Sequence, residues 1–232
     1  LRGVLLRDRK ALFGIVVLGL LAIAAIFGPW IAPYDPNAMA FEMMLSPSWA
    51  HPLGTDDLGR DLLSRIIVGT QVSIFVGIAT VAIALVVGLT LGVLAGYFGG
   101  WLDHVIMRYI DLQWAFPNFI IAVYLVAVFG TGLLNLIVAI SLAFLDDFAR
   151  IARGMVLTIK EEQYVAAART VGVSHFRIMW RHILPNAMAP IIVQATVSVS
   201  YAILAEAGLS FLGLGVEAET PTWGLIRADA RS

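Results

Sequence analysis

Few side chains in this sequence are of the kinds that do chemistry, and none stands in the spacing that chemistry needs. Lys10 and Lys160 are the only lysines, and neither follows a glycine-rich loop, so there is no G-x-x-x-x-G-K-[ST] cradle for nucleotide phosphates. His51, His104, His175 and His182 include no H-E-x-x-H pair, and no Ser, His and Asp arrangement carries a local signature. The absence of cysteine removes thiolate metal sites, disulfides and cysteine nucleophiles together. No catalytic residue, bound cofactor or metal is expected on this chain.

Ion-coupled transport by the chain alone, the next chemistry to consider, asks for ionisable groups near the bilayer midplane. The apolar stretches offer Arg108, Asp111 and Glu206. Arg108 and Asp111 are three residues apart and meet on one helix face, as a local interfacial ion pair or as a functional one. Glu206 precedes closely spaced glycines in residues 205–215 (AEAGLSFLGLG), which argue against a continuing straight helix. Two readings stay open for it: a broken or re-entrant segment facing a cavity, and a snorkelling acid at the interface.

These groups have to be positioned by membrane-spanning helices. Of 232 residues 60% are hydrophobic and 13% charged, with a mean hydropathy of +0.89, too little polar surface to cover a water-soluble globule. Net charge is −1, so placement of the charges carries more information than their sum. Uncharged runs at 11–34, 66–102, 112–145 and 182–205 predict spans over 11–34, 72–97, 103–129, 133–149 and 182–205, the 112–145 run being too long for one span. Gly130-Thr131-Gly132 separates the third from the fourth, and Pro117 is expected to kink the third. Gly88, Gly92 and Gly96 recur every fourth residue and predict close approach of a neighbouring helix. A cleavable signal peptide is the alternative for the first run, which is longer than a signal's apolar core.

Basic residues stay on the cytoplasmic side during insertion. Arg2, Arg7, Arg9 and Lys10 precede the first span, and Arg150, Arg153, Lys160, Arg169, Arg177 and Arg181 lie between the fourth and fifth. The segment between the first two spans holds Asp35, Glu42, Asp56, Asp57 and Asp61 against Arg60 and Arg65. Alternating spans put the N-terminus and the basic loop inside and the acidic segment outside. Residues 1–34 then form a cytoplasmic N-terminus and anchor, 35–70 an extracytoplasmic loop with an interfacial helix, and 71–232 a core that includes the cytoplasmic loop 150–185. Thr55 is expected to cap the interfacial helix, with Asp56 and Asp57 in its first turn. The same acids equally suit a face for a binding protein.

The cytoplasmic loop is long for a connection. Thr158 and Glu161 match a capping box for a helix through residues 164–171, which Gly172 would end in a left-handed cap. Ser174 can cap a second helix that places Phe176, Met179, Trp180 and Ile183 on one side. Tyr164, Ala166, Ala167 and Ala168 give the first helix a small-residue surface, suited to docking in a groove of another protein or to a self-packed cap.

Ala166-Ala167-Ala168, Gly172 four residues on, and then His182, Leu184 and Pro185 resemble the EAA loop of permease subunits in binding-protein-dependent ABC importers. Residues 51–61 (HPLGTDDLGRD), 95–101 (AGYFGGW), 181–186 (RHILPN), 209–215 (LSFLGLG) and 220–224 (TPTWG) resemble the C-type subunit of dipeptide, oligopeptide and nickel permeases. The resemblance implies an all-α polytopic transmembrane bundle of the type I importer permease fold in the bacterial inner membrane. It also implies a second homologous permease, two ATPase subunits that bind ATP and Mg, an extracytoplasmic binding protein, and short peptides as cargo. Nickel chelates and glutathione are the alternative cargoes, and no nucleic acid is involved. Tyr164, Ala166, Ala167, Ala168, Gly172, His182, Leu184 and Pro185 become the expected ATPase-coupling residues. Pro117, Glu206, Ser210 and Phe211 become candidates for the translocation path or gate. The family's glutamate position holds Ala166 here, with Glu161 and Glu162 nearby. The family also has a sixth span after the Trp-Gly segment, so the expectation is five spans and a missing sixth.

Overall fold

The structure, a computed structural model, describes residues 8–217 and 219–229; Arg2 and Arg7, used above for orientation, lie outside them. It is built of helices: α1 (Arg9–Ile31), α2 (Leu62–Phe98), α3 (Gly100–Trp114), α4 (Asn118–Phe129), α5 (Leu133–Ile159), α6 (Gln163–Thr170), α7 (His175–Ile178), α8 (Leu184–Phe211) and α9 (Trp223–Asp229). A π-turn, Met179–Ile183, joins α7 to α8. No strand occurs among the described residues.

By length and composition α1, α2 and the continuous run His175–Phe211 are long and apolar enough to cross a membrane. The α3–α4 pair makes a fourth if it is counted as one broken span. Five spans were expected. The difference lies in α5, which does not stop at residue 149 but continues to Ile159 through Asp146, Asp147, Arg150 and Arg153. Pro117 does more than kink a helix. Having no N–H to donate, it sits at the N-cap of α4, and α3 and α4 meet at 92°. Helix α8 also departs from expectation, because it runs past Glu206 and Gly208 to Phe211, and the left-handed glycine follows at Gly213 with φ +74°.

The chain divides into two compact units, one made of residues up to Phe75 and from Ala207 onward, the other of Val76–Glu206. In the first, Asp61 caps α2, its Oδ2 accepting from the Ser64 N–H at 2.8 Å and the Ser64 hydroxyl at 2.7 Å. No helix begins between Ala32 and Asp61, so the expected interfacial helix capped by Thr55 is absent. Thr55 instead pins the loop on itself, accepting from the Leu45 N–H at 2.8 Å and donating to the Glu42 carbonyl at 2.6 Å.

In the second unit the glycine stripe is the closest packing. A Cβ on Gly88 would lie 2.8 Å from Phe148 Cβ, on Gly92 2.7 Å from Ala152 Cβ, and on Gly96 2.9 Å from Val156 Cβ. The missing side chains let α2 and α5 touch backbone to side chain, the dispersion contact that replaces hydrophobic drive inside lipid. Ile110, Leu145 and Ala149 form the buried centre beside it. Asp111 pairs with Arg150 at 2.7 Å and not with Arg108, and the Arg150 guanidinium also lies 4.5 Å from the Trp114 ring centroid. Arg153 holds Asp103 with two parallel bonds of 2.5 and 2.7 Å, the bidentate geometry that fixes orientation as well as charge.

Candidate coupling site

Helix α6 opens at Glu162, whose backbone is extended and whose side chain makes no capping bond. The expected Thr158 cap does not form, because Thr158 belongs to the last turn of α5 and bonds back to the Gly154 carbonyl at 3.3 Å. At the other end Gly172 adopts φ +81°, and the Val173 N–H reaches the Ala168 carbonyl at 3.0 Å. This is the left-handed closure expected of it, a conformation that costs a residue with a Cβ. Only Val165 of α6 is buried; Tyr164, Ala166 and Ala167 are exposed and Ala168 is half-buried. One side chain therefore anchors the helix while its small-residue face stays open.

The end of α2 provides the seat. Tyr97 OH lies 2.8 Å from His175 Nδ1, the Arg169 guanidinium sits 5.4 Å from the Tyr97 ring centroid, and Lys160 Nζ donates to the Gly96 carbonyl at 3.0 Å. Phe98 adds a second ring 6.2 Å from His175. Tyr97, Lys160, Arg169 and His175 meet in this seat although their spacing in the sequence does not bring them together. The AGYFGGW run carries Tyr97 and Phe98, and its contact with the loop is a tertiary one that local spacing does not show. Tyr97→Phe removes one bond of this seat, and the expected cost is about 1 kcal/mol. Hydrogen exchange of the α6–α7 amides should rise accordingly, while exchange in α5 should not change.

Beyond Gly172, Ser174 occupies the N-cap position of α7 without a side-chain bond. The next turn is widened for a local reason. Pro185 offers no N–H, and its ring would crowd the carbonyl four residues back, so the backbone passes through an i→i+5 turn in which the Leu184 N–H bonds to the Met179 carbonyl. The extra residue changes the face pattern. Ile178 and Ile183, five apart, are both fully buried, whereas Phe176 and Trp180 stack outward with rings 3° from parallel. Ile183 thus leaves the expected stripe, and Leu184 joins Phe176, Met179 and Trp180 in lining a cavity. Among the residues expected to couple, Tyr164 and His182 approach each other with ring centroids 6.4 Å apart, and Pro185 is exposed.

The expected path residues fall into three environments. Pro117 marks the α3–α4 break, Glu206 is fully buried on α8, and Ser210 is buried while Phe211 at the end of that helix is about half exposed. A broken segment at Glu206 is not observed.

The acidic run at 56–61 also differs from expectation, since Asp56 and Asp61 turn inward and do not form an exposed acidic face. Asp56 accepts from the Arg60 N–H at 2.9 Å and Arg60 Nε at 2.6 Å, and Arg60 and Arg65 both reach Asp229 Oδ2, at 3.2 and 3.3 Å. The TPTWG run closes onto α2 in the same unit: the Trp223 indole N–H donates to Thr70 Oγ1 at 3.2 Å and the Trp223 backbone N–H to Ser73 Oγ at 3.1 Å. Asp61 also binds His51 Nδ1 at 2.9 Å. Burial alone would raise its carboxyl, but the hydrogen bonds from His51 and Ser64 outweigh burial and hold it below its ordinary value of 3.8. A depressed carboxyl contributes stability above its unfolded value and loses it as pH falls through the lower folded value. Asp61→Ala removes the α2 cap and leaves the buried His51 without its partner, and is expected to cost about 3 kcal/mol at neutral pH. The melting temperature of the variant in detergent should also fall less steeply than that of the parent below pH 4.

Comparison with known proteins agrees with these features. Residues 88–230 match the family described as binding-protein-dependent transport system inner membrane component, and the chain belongs to it. Residues 3–47 match the N-terminal transmembrane domain of oligopeptide transport permease C, which places the chain among the C-type permease subunits of that family. A di/tripeptide transport system permease protein of Pseudomonas aeruginosa is 44% identical over 231 residues, covering 97% of this chain and 76% of that protein. A glutathione transport system permease protein of Pectobacterium atrosepticum is 41% identical over 94% of this chain and 73% of its own length. A dipeptide transport system permease protein of Alkalihalophilus pseudofirmus is 40% identical, over 97% and 74%. The chain is thus a membrane component of an ABC transporter and not an enzyme. Membership implies an ATPase and a binding protein as partners.

Proposed function

We propose that this chain is one of two homologous permease subunits of an ATP-driven importer of short peptides, coupled to two ATPases through residues 163–185. The observation that carries the reading is an exposed, small-residue helix, α6, closed by Gly172 on a chain with no nucleotide cradle of its own. Energy has to enter from outside the chain, and α6 is shaped for contact: short, anchored by Val165, and open along Ala166 and Ala167. ATP and Mg bind to the ATPases, and an extracytoplasmic binding protein delivers the peptide.

The N-terminus and the loop carrying α6 are cytoplasmic, and the first part of α5 is the fifth spanning segment alongside α1, α2, the α3–α4 pair and α8. Support comes from the basic residues between positions 150 and 181 set against the acidic 35–65 segment. The path passes the α3–α4 break at Pro117 and the α8 stretch with Glu206, Ser210 and Phe211. A fully buried carboxyl on a helix of spanning length is costly in lipid and is retained where function needs it.

Relatives named for di/tripeptides and dipeptides support peptide cargo. A relative named for glutathione supports a second reading, in which the cargo is that γ-linked tripeptide. Competition decides between them. In vesicles holding the complete importer, uptake of a labelled dipeptide should be ATP-dependent and suppressed by unlabelled di- and tripeptides. Suppression by glutathione alone would select the second reading, and uptake driven by an ion gradient without ATPases would remove both.

A further inference from the structure

The cavity at the α7–α8 turn lies beyond the exposed docking helix α6 and shares only Leu184 with the expected coupling residues. It encloses about 250 Å³ between Leu89 and Val93 of α2 and Phe176, Met179, Trp180 and Leu184. Thr90 also faces it, but its hydroxyl is spent on the Val86 carbonyl at 2.7 Å, so the wall is apolar. Phe176 is 73% and Trp180 66% exposed, a stacked aromatic pair at the rim.

The chain segment that forms this rim carries charge of one sign. No Asp or Glu occurs between Glu162 and Glu206, while Arg169, Arg177 and Arg181 all lie in that interval. Arg169 is engaged on the Tyr97 ring. Arg177 and Arg181 are exposed, follow Phe176 and Trp180 directly in sequence, and enter no ion pair among the described residues. The π-turn contributes to this placement, because a wider turn rotates each successive residue less, keeping Arg181 nearer the side of Trp180.

We propose that this cavity, with the neighbouring Arg177 and Arg181, binds an anionic phospholipid of the cytoplasmic leaflet, one acyl chain in the cavity, Trp180 at headgroup depth, and the phosphate on the two arginines. The chemistry is that of an interface. Aromatic rings settle at the headgroup level, basic side chains gain from the anionic inner leaflet, and an apolar slot beside a spanning helix is filled by hydrocarbon at no desolvation cost. A protein occupant would leave two cations to be neutralised by acids it must supply, whereas the membrane supplies them at high local concentration. The proposal rests on the cytoplasmic placement of the loop argued above.

The test uses the complete importer in nanodiscs containing phosphatidylglycerol and phosphatidylcholine, followed by native mass spectrometry of retained lipid. The parent should keep phosphatidylglycerol in preference to phosphatidylcholine, and Arg177→Gln with Arg181→Gln should reduce that preference by on the order of tenfold. Trp180→Ala should lower retention of both lipids. Co-purification of the partner subunits reports that each variant assembles. Equal retention in parent and double variant would overturn the site. So would capture of a protein subunit, in place of lipid, by a photo-crosslinker at position 176. A cysteine at Ser174, labelled in sealed vesicles, separates the two levels of the argument. Labelling from the cytoplasmic side without lipid preference removes only the lipid site, and labelling from outside removes the topology beneath it.

Discussion

Replacing Gly92 with leucine is expected to leave no folded subunit in the membrane. A side chain there would begin 2.7 Å from Ala152 Cβ and run into the backbone carbonyl of Ala149. Neither neighbour is the flexible end of a side chain, so α2 and α5 would have to separate. Separation opens the glycine stripe along Gly88 and Gly96 as well, and strips contacts from the centre around Leu145 and Ala149. The cost should exceed about 4 kcal/mol, a large part of the roughly 5–15 kcal/mol that holds a typical domain folded. Gly154→Leu is the control, since nothing lies within 4 Å of its Cβ position on the same α5 helix. Immunoblots of membrane fractions should show the Gly92 variant degraded and the Gly154 variant at parental level.

The second large effect is on function without loss of fold. Ala167→Arg places a long cation on the exposed face of α6, which no packing inside the subunit opposes. Stability should change by less than about 0.5 kcal/mol. Docking into a groove shaped for alanine should nevertheless fail, because an interface core tolerates neither the added volume nor an unpaired buried charge. Peptide uptake by the reconstituted importer is expected to fall at least about a hundredfold, the scale of about 3 kcal/mol at a central contact. Co-purification of the ATPases should fall with it. Gly172→Pro acts on the same element through the backbone, since proline is locked near φ −65° and the site requires +81°. An importer that kept transport after both changes would have no coupling role for α6.

What the sequence revealed and what it hid divide along physical lines. The glycine stripe was legible because its spacing is itself the packing rule, one small residue per helical turn. Gly172 was legible for a similar reason, since a left-handed cap leaves its mark on a single residue. The partner of Asp111 was hidden. Arg108 is three residues away and satisfies a local rule, but Arg150, 39 positions further along, wins once α5 packs beside α3.

The α2 cap was hidden in the same way. Thr55, Asp56, Asp57 and Asp61 are all acceptable caps by type, and His51, which holds Asp61 at 2.9 Å, is part of a tertiary arrangement that local sequence does not show. Pro117 and Pro185 were both visible as helix disruptors, yet one produces a 92° break and the other a π-turn inside a helix that continues. The packing around a proline decides which occurs. The glycines after Glu206 misled in the opposite direction, because Gly208 lies within an intact helix and only Gly213 takes the left-handed conformation.

The claim that α6 carries the ATPase's work into the membrane is tested most directly by linking the two chains. The sequence contains no cysteine, so Ala167→Cys introduces a single reactive position on the exposed face of α6. With a cysteine placed in the surface groove of the ATPase subunit, oxidation of the complete importer is predicted to join the permease to the ATPase in high yield. Reduction should restore both separate chains and their normal peptide uptake. Peptide uptake that proceeds undiminished from membranes lacking the ATPase, with no cross-link formed at position 167, would contradict the account.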